Sequence, residues 1–224
     1  MLGFIVRPRT ILLEGTTDAD LFALAAREER RRTGVDLFGN EFAMAAAGAG
    51  DEGGTTGVIR ELTRLKGYAR ITLLPNGRPK YRFIGLFDND AAGRYAVRTA
   101  NIFDTSIVEY RDVFRLRPKM PETSNLDPSA LGRAFDKQNE PHQKLDWEVE
   151  DLFGTAFLQA FIKAEAIMPR KTFEIAGQIH REWSADGKAR LHRFIRENAI
   201  HDDLSQVIEV IRILRTYLGL SALR

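Results

Sequence analysis

Cysteine is absent from the 224 residues of this chain, and tryptophan and histidine are scarce, with two and four residues. The absence of cysteine excludes disulfide bonds and thiolate metal sites, and it fits a reducing compartment. No apolar run approaches the roughly 18 residues of a membrane span. The first ten residues, MLGFIVRPRT, are charged too early for a signal peptide. We therefore expect a cytoplasmic protein without a membrane partner.

An excess of charge of either sign is also missing. The 33 basic and 31 acidic residues leave a formal net charge of +2. A chain so nearly balanced must bind nucleic acid through local basic patches rather than through its overall charge. The hydrophobic fraction of 44% is sufficient for a packed core. The composition predicts a globular protein and identifies no partner.

Apolar runs that end in turn residues alternate with helical periodicity through the first half of the chain. The predicted strand and helix pairs are residues 10–15 with 16–32, 41–48 with 58–67, and 68–87 with 91–103, followed by a strand at 111–118. Strands that alternate with helices favour an α/β fold, with a mostly parallel, Rossmann-like sheet flanked by helices.

Local signals predict how some of these elements begin and turn. Thr16 or Thr17 is expected to cap the first helix, and Thr55 or Thr56 the second. Asn76-Gly77, between two β-type runs, predicts a hairpin.

After residue 118, beyond the predicted sheet, the spacing of apolar residues changes twice along the chain. Residues 119–146 hold three of the eight prolines and no sustained apolar period, which predicts a loop excursion with one helical turn near 130–135. Helical periodicity returns from residue 147 and includes TFEIAGQIHREWS (172–184). The sequence thus predicts a catalytic core at 1–118, a loop excursion at 119–146 and an α-helical extension at 147–224.

Carboxylates follow two of the predicted core strands. Asp88 and Asp90 come directly after FIGLF (83–87), and they share one side of an extended chain at the sheet edge where α/β proteins bind ligands. Glu14 ends the first strand, and Asp18 lies in the next helical turn. Such carboxylates can converge on Mg²⁺. Alternatively, Asp90 caps the helix that follows it.

Two of these stretches, ILLEGTTDADLF (11–22) and FIGLFDNDAAGR (83–94), together resemble the Toprim domain. That domain is shared by topoisomerases, bacterial primases, small nucleases and OLD-family nucleases. Its signature is a strand-terminal glutamate followed by glycine, then a D-x-D after a later apolar strand. Glu14 with Gly15, and Asp88 with Asp90, match this signature, and the match spans roughly residues 8 to 118. The resemblance implies a Toprim fold and a divalent-metal-dependent activity.

The segment DWEVEDLF (146–153) is similar to a further acidic motif of the OLD-family nucleases. Glu150 is the best match, with Glu148 and Asp151 as neighbouring metal ligands; the alternative is an acidic first helical turn favoured by the helix dipole. OLD-family nucleases also have a basic residue in their helical extension, and the resemblance implies that Lys188 is its counterpart. The alternative is that Lys188 is an ordinary solvated lysine.

In this interpretation Mg²⁺ or Mn²⁺, as one or two ions, supports hydrolysis of phosphodiester bonds in DNA or RNA. The implied metal ligands are Glu14, Asp18, Asp88, Asp90, Glu148, Glu150 and Asp151, and the implied catalytic residues are Glu14, Asp88, Asp90 and Lys188. The candidate contacts to nucleic-acid phosphates are Arg94, Arg98, Arg190, Arg193 and Arg196, unless these arginines are only solvated helix faces.

The resemblance also bears on partners. The tyrosine domain of topoisomerases and the zinc module of primases are not expected here. The upstream ATPase domain of larger OLD-family proteins is not expected either, which implies action alone or with a separately encoded ATPase. Anti-phage defence is the setting implied for such nucleases, and homo-oligomerisation is left open.

Other interpretations remain. The glycine-rich stretch 45–57 lacks the lysine of a phosphate-binding Walker loop; within it, Asp51 and Glu52 either reach the metal or are exposed turn residues. Arg196 and His201 have the R-x4-H spacing of HEPN ribonucleases, which need no metal. A third possible function, beside a metal-dependent nuclease and a HEPN ribonuclease, is a non-catalytic Toprim-like module that binds a protein or nucleic acid.

Overall fold

The structure, a computed structural model, describes residues 6–48 and 53–223. Within these residues, four strands form a parallel sheet in the order β2-β1-β3-β4. The strands are β1 (Arg9–Leu13), β2 (Phe42–Ala46), β3 (Arg82–Phe87) and β4 (Val113–Arg115). The predicted α/β class, with a parallel sheet between helices, is confirmed and is consistent with a Rossmann-like fold.

Helices cover both faces of the sheet. They are α1 (Thr16–Thr33), α2 (Gly54–Ile71), α3 (Ala91–Phe103), α4 (Pro128–Gln138), α5 (Thr155–Glu165), α6 (Ala185–Asn198) and α7 (Ser205–Tyr217). One apolar cluster joins the sheet to α2 and α3, and a second joins it to α1 and the C-terminal helices. In the part of the chain that the structure describes, no helix is long and apolar enough to cross a membrane.

The alternation of side chains along β1 explains why its sequence is a continuous apolar run. Ile11 and Leu13 pack in the cluster with α1, whereas Leu12 packs in the cluster with α2 and α3. A strand that is covered on both faces has no side that prefers polar residues.

The predicted threonine caps are wrong for both helices. The N-cap of α1 is Gly15 and that of α2 is Gly53, and neither helix has a side-chain cap. A close approach of backbones explains the second glycine, because a Cβ at position 53 would lie only 3.0 Å from the carbonyl oxygen of Glu14. The amide of Gly54 donates to that same oxygen at 2.9 Å.

The predicted hairpin at Asn76-Gly77 exists only as a short turn. Helix α2 continues to Ile71, so the first of the two expected strands does not form. One isolated antiparallel bridge joins Leu73 to Pro79, and Gly77 has a φ of 77°. The turn residues were therefore identified correctly, but the helical packing of α2 determines what precedes them.

The excursion after the sheet is more ordered than predicted. Instead of one turn near 130–135, the chain forms the whole of α4, where Asp127 caps the helix by accepting a hydrogen bond from the amide of Ala130 at 2.9 Å. Leu131 and Phe135 bury the inner side of this helix in the core. Contacts with distant residues, which no local periodicity reveals, stabilise it.

The helical prediction for residues 172–184 is wrong. This segment forms an antiparallel hairpin of β5 (Lys171–Ile175) and β6 (Gln178–Glu182). Ala176 and Gly177 connect the strands with φ angles of 49° and 76°. Positive φ at both central residues is typical of the tight turns that match the twist of a hairpin.

Gly93, in the first turn of α3, offers a test of this packing. A Cβ at this position would lie 2.0 Å from the carbonyl oxygen of Asp88, so Gly93→Ala must displace backbone and should destabilise the protein by at least about 1–3 kcal/mol. The matched control is Gly67→Ala on the exposed side of α2, where no atom lies within 4 Å, and it should stabilise by about 0.5–1 kcal/mol. Urea unfolding measures both, and equal effects of the two substitutions would contradict the prediction.

Candidate functional site

Glu14 and Asp88 occupy equivalent positions at the ends of two neighbouring strands. Glu14 follows β1 and Asp88 follows β3, and these strands pair in parallel. The amide of Asp88 donates a hydrogen bond to Glu14 Oε1 at 3.2 Å. The structure thus brings together the two motifs that are separated by about seventy residues in the sequence.

A cleft of about 510 Å³ opens in front of these two carboxylates. Asp18, from the first turn of α1, forms part of its wall. Lys188 and His192, from α6, also line the cleft, as does Glu150 from a third segment of the chain. The helical extension therefore completes a site that begins at the sheet edge.

Glu150 is held in this cleft by α6. It lies in a 3₁₀ turn formed by Val149–Leu152, and the residue is 3% exposed. Its Oε1 lies 3.0 Å from His192 Nε2. Its Oε2 is buried and has no hydrogen-bond partner among the described residues. One oxygen of Glu150 is thus fixed by a histidine while the other is available to a ligand.

Lys188 lies between two glutamates of this segment. Its Nζ is 2.8 Å from Glu148 Oε2 and 3.8 Å from Glu150 Oε1. Burial opposes the charged form of Lys188, but these two carboxylates outweigh it and raise its pKa. For Glu150, the effect of burial is outweighed by the His192 hydrogen bond and the Lys188 charge, so its pKa is lowered.

Burial and crowding raise the pKa values of the remaining carboxylates. Burial raises the pKa of Glu14 to about 7, and the charges of Asp90 and Asp18 add to that rise. Burial and the nearby Glu150 raise the pKa of Asp18 to about 6. The pKa of Asp88 is raised well above its usual range by burial and then by its acidic neighbours. The cluster carries more negative charge than Lys188 can offset.

Asp90 performs the capping role that the sequence left as an alternative. Its Oδ1 accepts a hydrogen bond from the amide of Gly93 at 2.7 Å, which fixes the start of α3. Its charge still acts on Glu14. Asp90 is therefore a structural cap beside the cleft, and one of its oxygens is already engaged.

Asp151 supports the acidic turn from behind. Its Oδ2 lies 2.7 Å from His180 Nδ1 and accepts a hydrogen bond from the amide of Glu148 at 2.9 Å. Its Oδ1 accepts one from the amide of Arg181 at 3.2 Å. Both oxygens are engaged within the fold, so its geometry fits support of Glu148 and Glu150 better than direct ligand binding.

His192 is the site residue that the sequence reasoning missed. It is buried, contacts Glu150 and lines the cleft. The available signal was its position four residues after Lys188, because residues four apart lie on one face of a helix. Once Lys188 was selected, the same helical face pointed to His192.

The five candidate arginines fall into two groups. On α6, Arg190 and Arg193 are ion-paired with Glu165, and Arg196 is exposed. On α3, Arg94 and Arg98 line a second cleft of about 420 Å³.

Three further candidates are His201, Asp51 and Glu52. His201 Nε2 lies 2.6 Å from Glu29 Oε2, and Arg212 contacts the other oxygen of that buried glutamate at 2.6 Å. This arrangement links α1 to the C-terminal part of the chain. Asp51 and Glu52 lie outside the described residues.

The side chains of the cleft partly meet the requirements of a divalent cation. Within residues 6–48 and 53–223, no three histidine, aspartate or glutamate side chains are spaced to hold a metal ion as they stand. The donor chemistry nevertheless fits a hard cation, since carboxylate oxygens surround the cleft and Glu150 Oε2 is buried without a partner. Binding would require the carboxylates to move towards the ion.

No protein-family model, curated protein or solved structure matches the chain. The resemblance to the Toprim domain therefore depends on the two sequence motifs and on the residues that accompany them in the cleft.

The raised pKa of Glu14 predicts how stability depends on pH without metal. An acid whose pKa is about 7 when folded and 4.5 when unfolded contributes stability below pH 4.5, and this contribution is lost as the pH rises to 7. In EDTA, the unfolding free energy of the protein relative to that of Glu14→Gln should fall between pH 5 and pH 7.5. A constant or rising difference in urea unfolding would contradict the burial of Glu14.

Proposed function

We propose that this chain is a divalent-metal-dependent nuclease that hydrolyses phosphodiester bonds of DNA or RNA, with a Toprim-like acidic cluster as its active site. The observation that carries the proposal is the meeting of Glu14 and Asp88 at the ends of adjacent parallel strands, in one cleft with Glu150.

The electrostatics of the cleft favour a cation. Five carboxylates interact there, namely Glu14, Asp18, Asp88, Glu148 and Glu150, and Lys188 lies among them. Burying like charges together is unfavourable, as the raised pKa values of Glu14 and Asp18 indicate. Protons relieve this repulsion at low pH, whereas a divalent cation would relieve it at neutral pH. A cation would also allow an anionic nucleic acid to approach an acidic surface.

Glu14, Asp88 and Glu150 are the residues that would hold Mg²⁺ or Mn²⁺, with Asp18 and Glu148 beside them. Bound there, the metal would supply positive charge to the phosphate oxygens and activate water for attack. His192 positions Glu150 by holding one of its oxygens. Lys188 places a positive charge on the cleft wall, where it attracts a phosphate and offsets the charge of Glu148.

A nuclease assay on plasmid, single-stranded DNA and transfer RNA, with Mn²⁺ and with EDTA, tests this function. Cleavage that requires Mn²⁺ supports the proposal. Cleavage that persists in EDTA would favour the HEPN-type alternative, and binding without cleavage would favour a non-catalytic module. A separately encoded ATPase partner and a role in anti-phage defence are further proposals that follow from the resemblance to OLD-family nucleases.

Asp88→Asn should abolish metal-dependent cleavage and leave the metal-free protein folded and at least as stable, because it removes a repelled buried charge. Asp90→Ala should instead lower the unfolding free energy by about 0.5–2 kcal/mol, because it removes the cap of α3. Cleavage assays and urea unfolding separate the two aspartates. Undiminished cleavage by Asp88→Asn, or its failure to fold, would contradict the assignment.

Glu14→Gln tests whether this residue binds the metal. The substitution keeps the size of the side chain and removes the charge that a hard cation needs, so calorimetric Mn²⁺ affinity should weaken and cleavage should fall by orders of magnitude. Normal affinity with lost cleavage would instead identify Glu14 as a general base. Glu174→Gln, at an exposed position of β5, is the matched control and should change neither quantity.

A further inference from the structure

Asn89, between the two aspartates, is buried, and its polar groups are hydrogen-bonded. It is 1% exposed. Its amide donates to the carbonyl of Trp147 at 2.8 Å, and its Nδ2 donates to the carbonyl of Leu145 at 3.0 Å. Its two oxygens accept hydrogen bonds from arginines: the carbonyl from Arg94 Nη1 at 2.9 Å, and Oδ1 from Arg115 Nη1 at 3.1 Å.

These arginines line the second cleft, which we name the arginine cleft. Its wall consists of Ala91, Arg94, Val97, Arg98, Glu109 and Arg115. Asn89 and Asp146 fix the guanidinium group of Arg94, while Asn89 and Glu109 fix that of Arg115. Arg98 is exposed and makes no ion pair among the described residues, so its five N–H donors remain available.

The arginine cleft has a surplus of positive charge. Three arginines and one glutamate line it, which leaves two positive charges, or one when Asp146 is included. Arg117 lies near Arg115 and is buried, with its Nε unpartnered among the described residues. Guanidinium groups that are already held in place lose little freedom when they bind a phosphate, and their planar donors match phosphate geometry.

One short segment of the chain contributes to both clefts. Asp88 lines the cleft that contains Glu14 and Glu150, which we name the acidic cleft, and Ala91 lines the arginine cleft. The two residues are three positions apart, so their Cα atoms are at most about 11 Å apart. A nucleic-acid strand advances about 3.4 Å per nucleotide along a stacked helix, so this Cα separation is on the scale of one to three nucleotides.

We propose that the arginine cleft binds a phosphate flanking the scissile phosphate on the same nucleic-acid strand. The segment 88–90 then serves both clefts, with Asp88 facing the scissile phosphate and Asn89 holding two arginines that bind its neighbour. The proposal rests on the proposed nuclease function for the identity of the scissile phosphate, but binding by the arginine cleft does not require cleavage.

The test compares Arg98→Glu with Arg78→Glu, an identical charge change at an exposed position before β3, at the other end of the strands. Fluorescence anisotropy in EDTA measures the affinity for a labelled 12-nucleotide strand, as DNA and as RNA. Arg98→Glu should weaken binding at least fivefold and reduce the dependence of log K on log salt by about 0.7. Arg78→Glu should change the affinity less than twofold. The DNA and RNA arms identify which sugar the strand carries.

A cleavage assay in Mn²⁺ separates this inference from the nuclease proposal. For the oligonucleotide, Arg98→Glu should raise KM with little change in kcat. Arg78→Glu, the matched control outside both clefts, should change neither constant. Equal weakening of binding by the two charge reversals, or no effect of Arg98→Glu, would overturn the inference. Arg98-dependent binding without any cleavage by the unmodified protein would overturn the nuclease proposal while supporting phosphate binding in the arginine cleft.

Discussion

The parallel pairing of β1 with β3 is the interaction on which the candidate site depends. Because both strands end at the same edge, Glu14 and Asp88 become neighbours, and the amide of Asp88 donates to the Glu14 carboxylate. The two apolar clusters cover both faces of these strands. Two acidic residues are thus held close together against their mutual repulsion.

Residues from distant parts of the chain offset the repulsion between these buried carboxylates. Lys188 offsets part of the charge, and His192 fixes one oxygen of Glu150. Asp151 and His180 hold the acidic turn from behind. Since Lys188 and His192 lie on α6, which contacts α1, the helical extension is a structural part of the cleft rather than an appendage to the sheet.

Asn89 extends the same principle to the other side of the segment 88–90. Asn89 lies in a bend after the end of β3 and, unlike Asp88, does not line the acidic cleft. The side chain of Asn89 bonds Leu145 and Arg115, and its backbone bonds Trp147 and Arg94. One strand end therefore organises an acidic surface and a basic surface at the same time.

Several features of this protein were determined by the sequence alone. Apolar runs with turn residues predicted the parallel sheet, the strand ends at Glu14 and Asp88, and the bounds of α3, because these depend on local periodicity and on strand covering. Other features depended on residues far apart in the chain. The glycine caps of α1 and α2, the hairpin at 171–182 and the length of α4 differed from prediction, since close backbone approaches and buried contacts outweigh local propensity.

The same division holds within the site. Residue type and spacing selected the carboxylates and Lys188, but only the tertiary structure distinguished Asp90 as a helix cap and Asp151 as a support, and only it brought His192 to Glu150. The sequence determines the chemical groups of each side chain, whereas the packing of the folded chain determines which hydrogen-bond partners those groups meet.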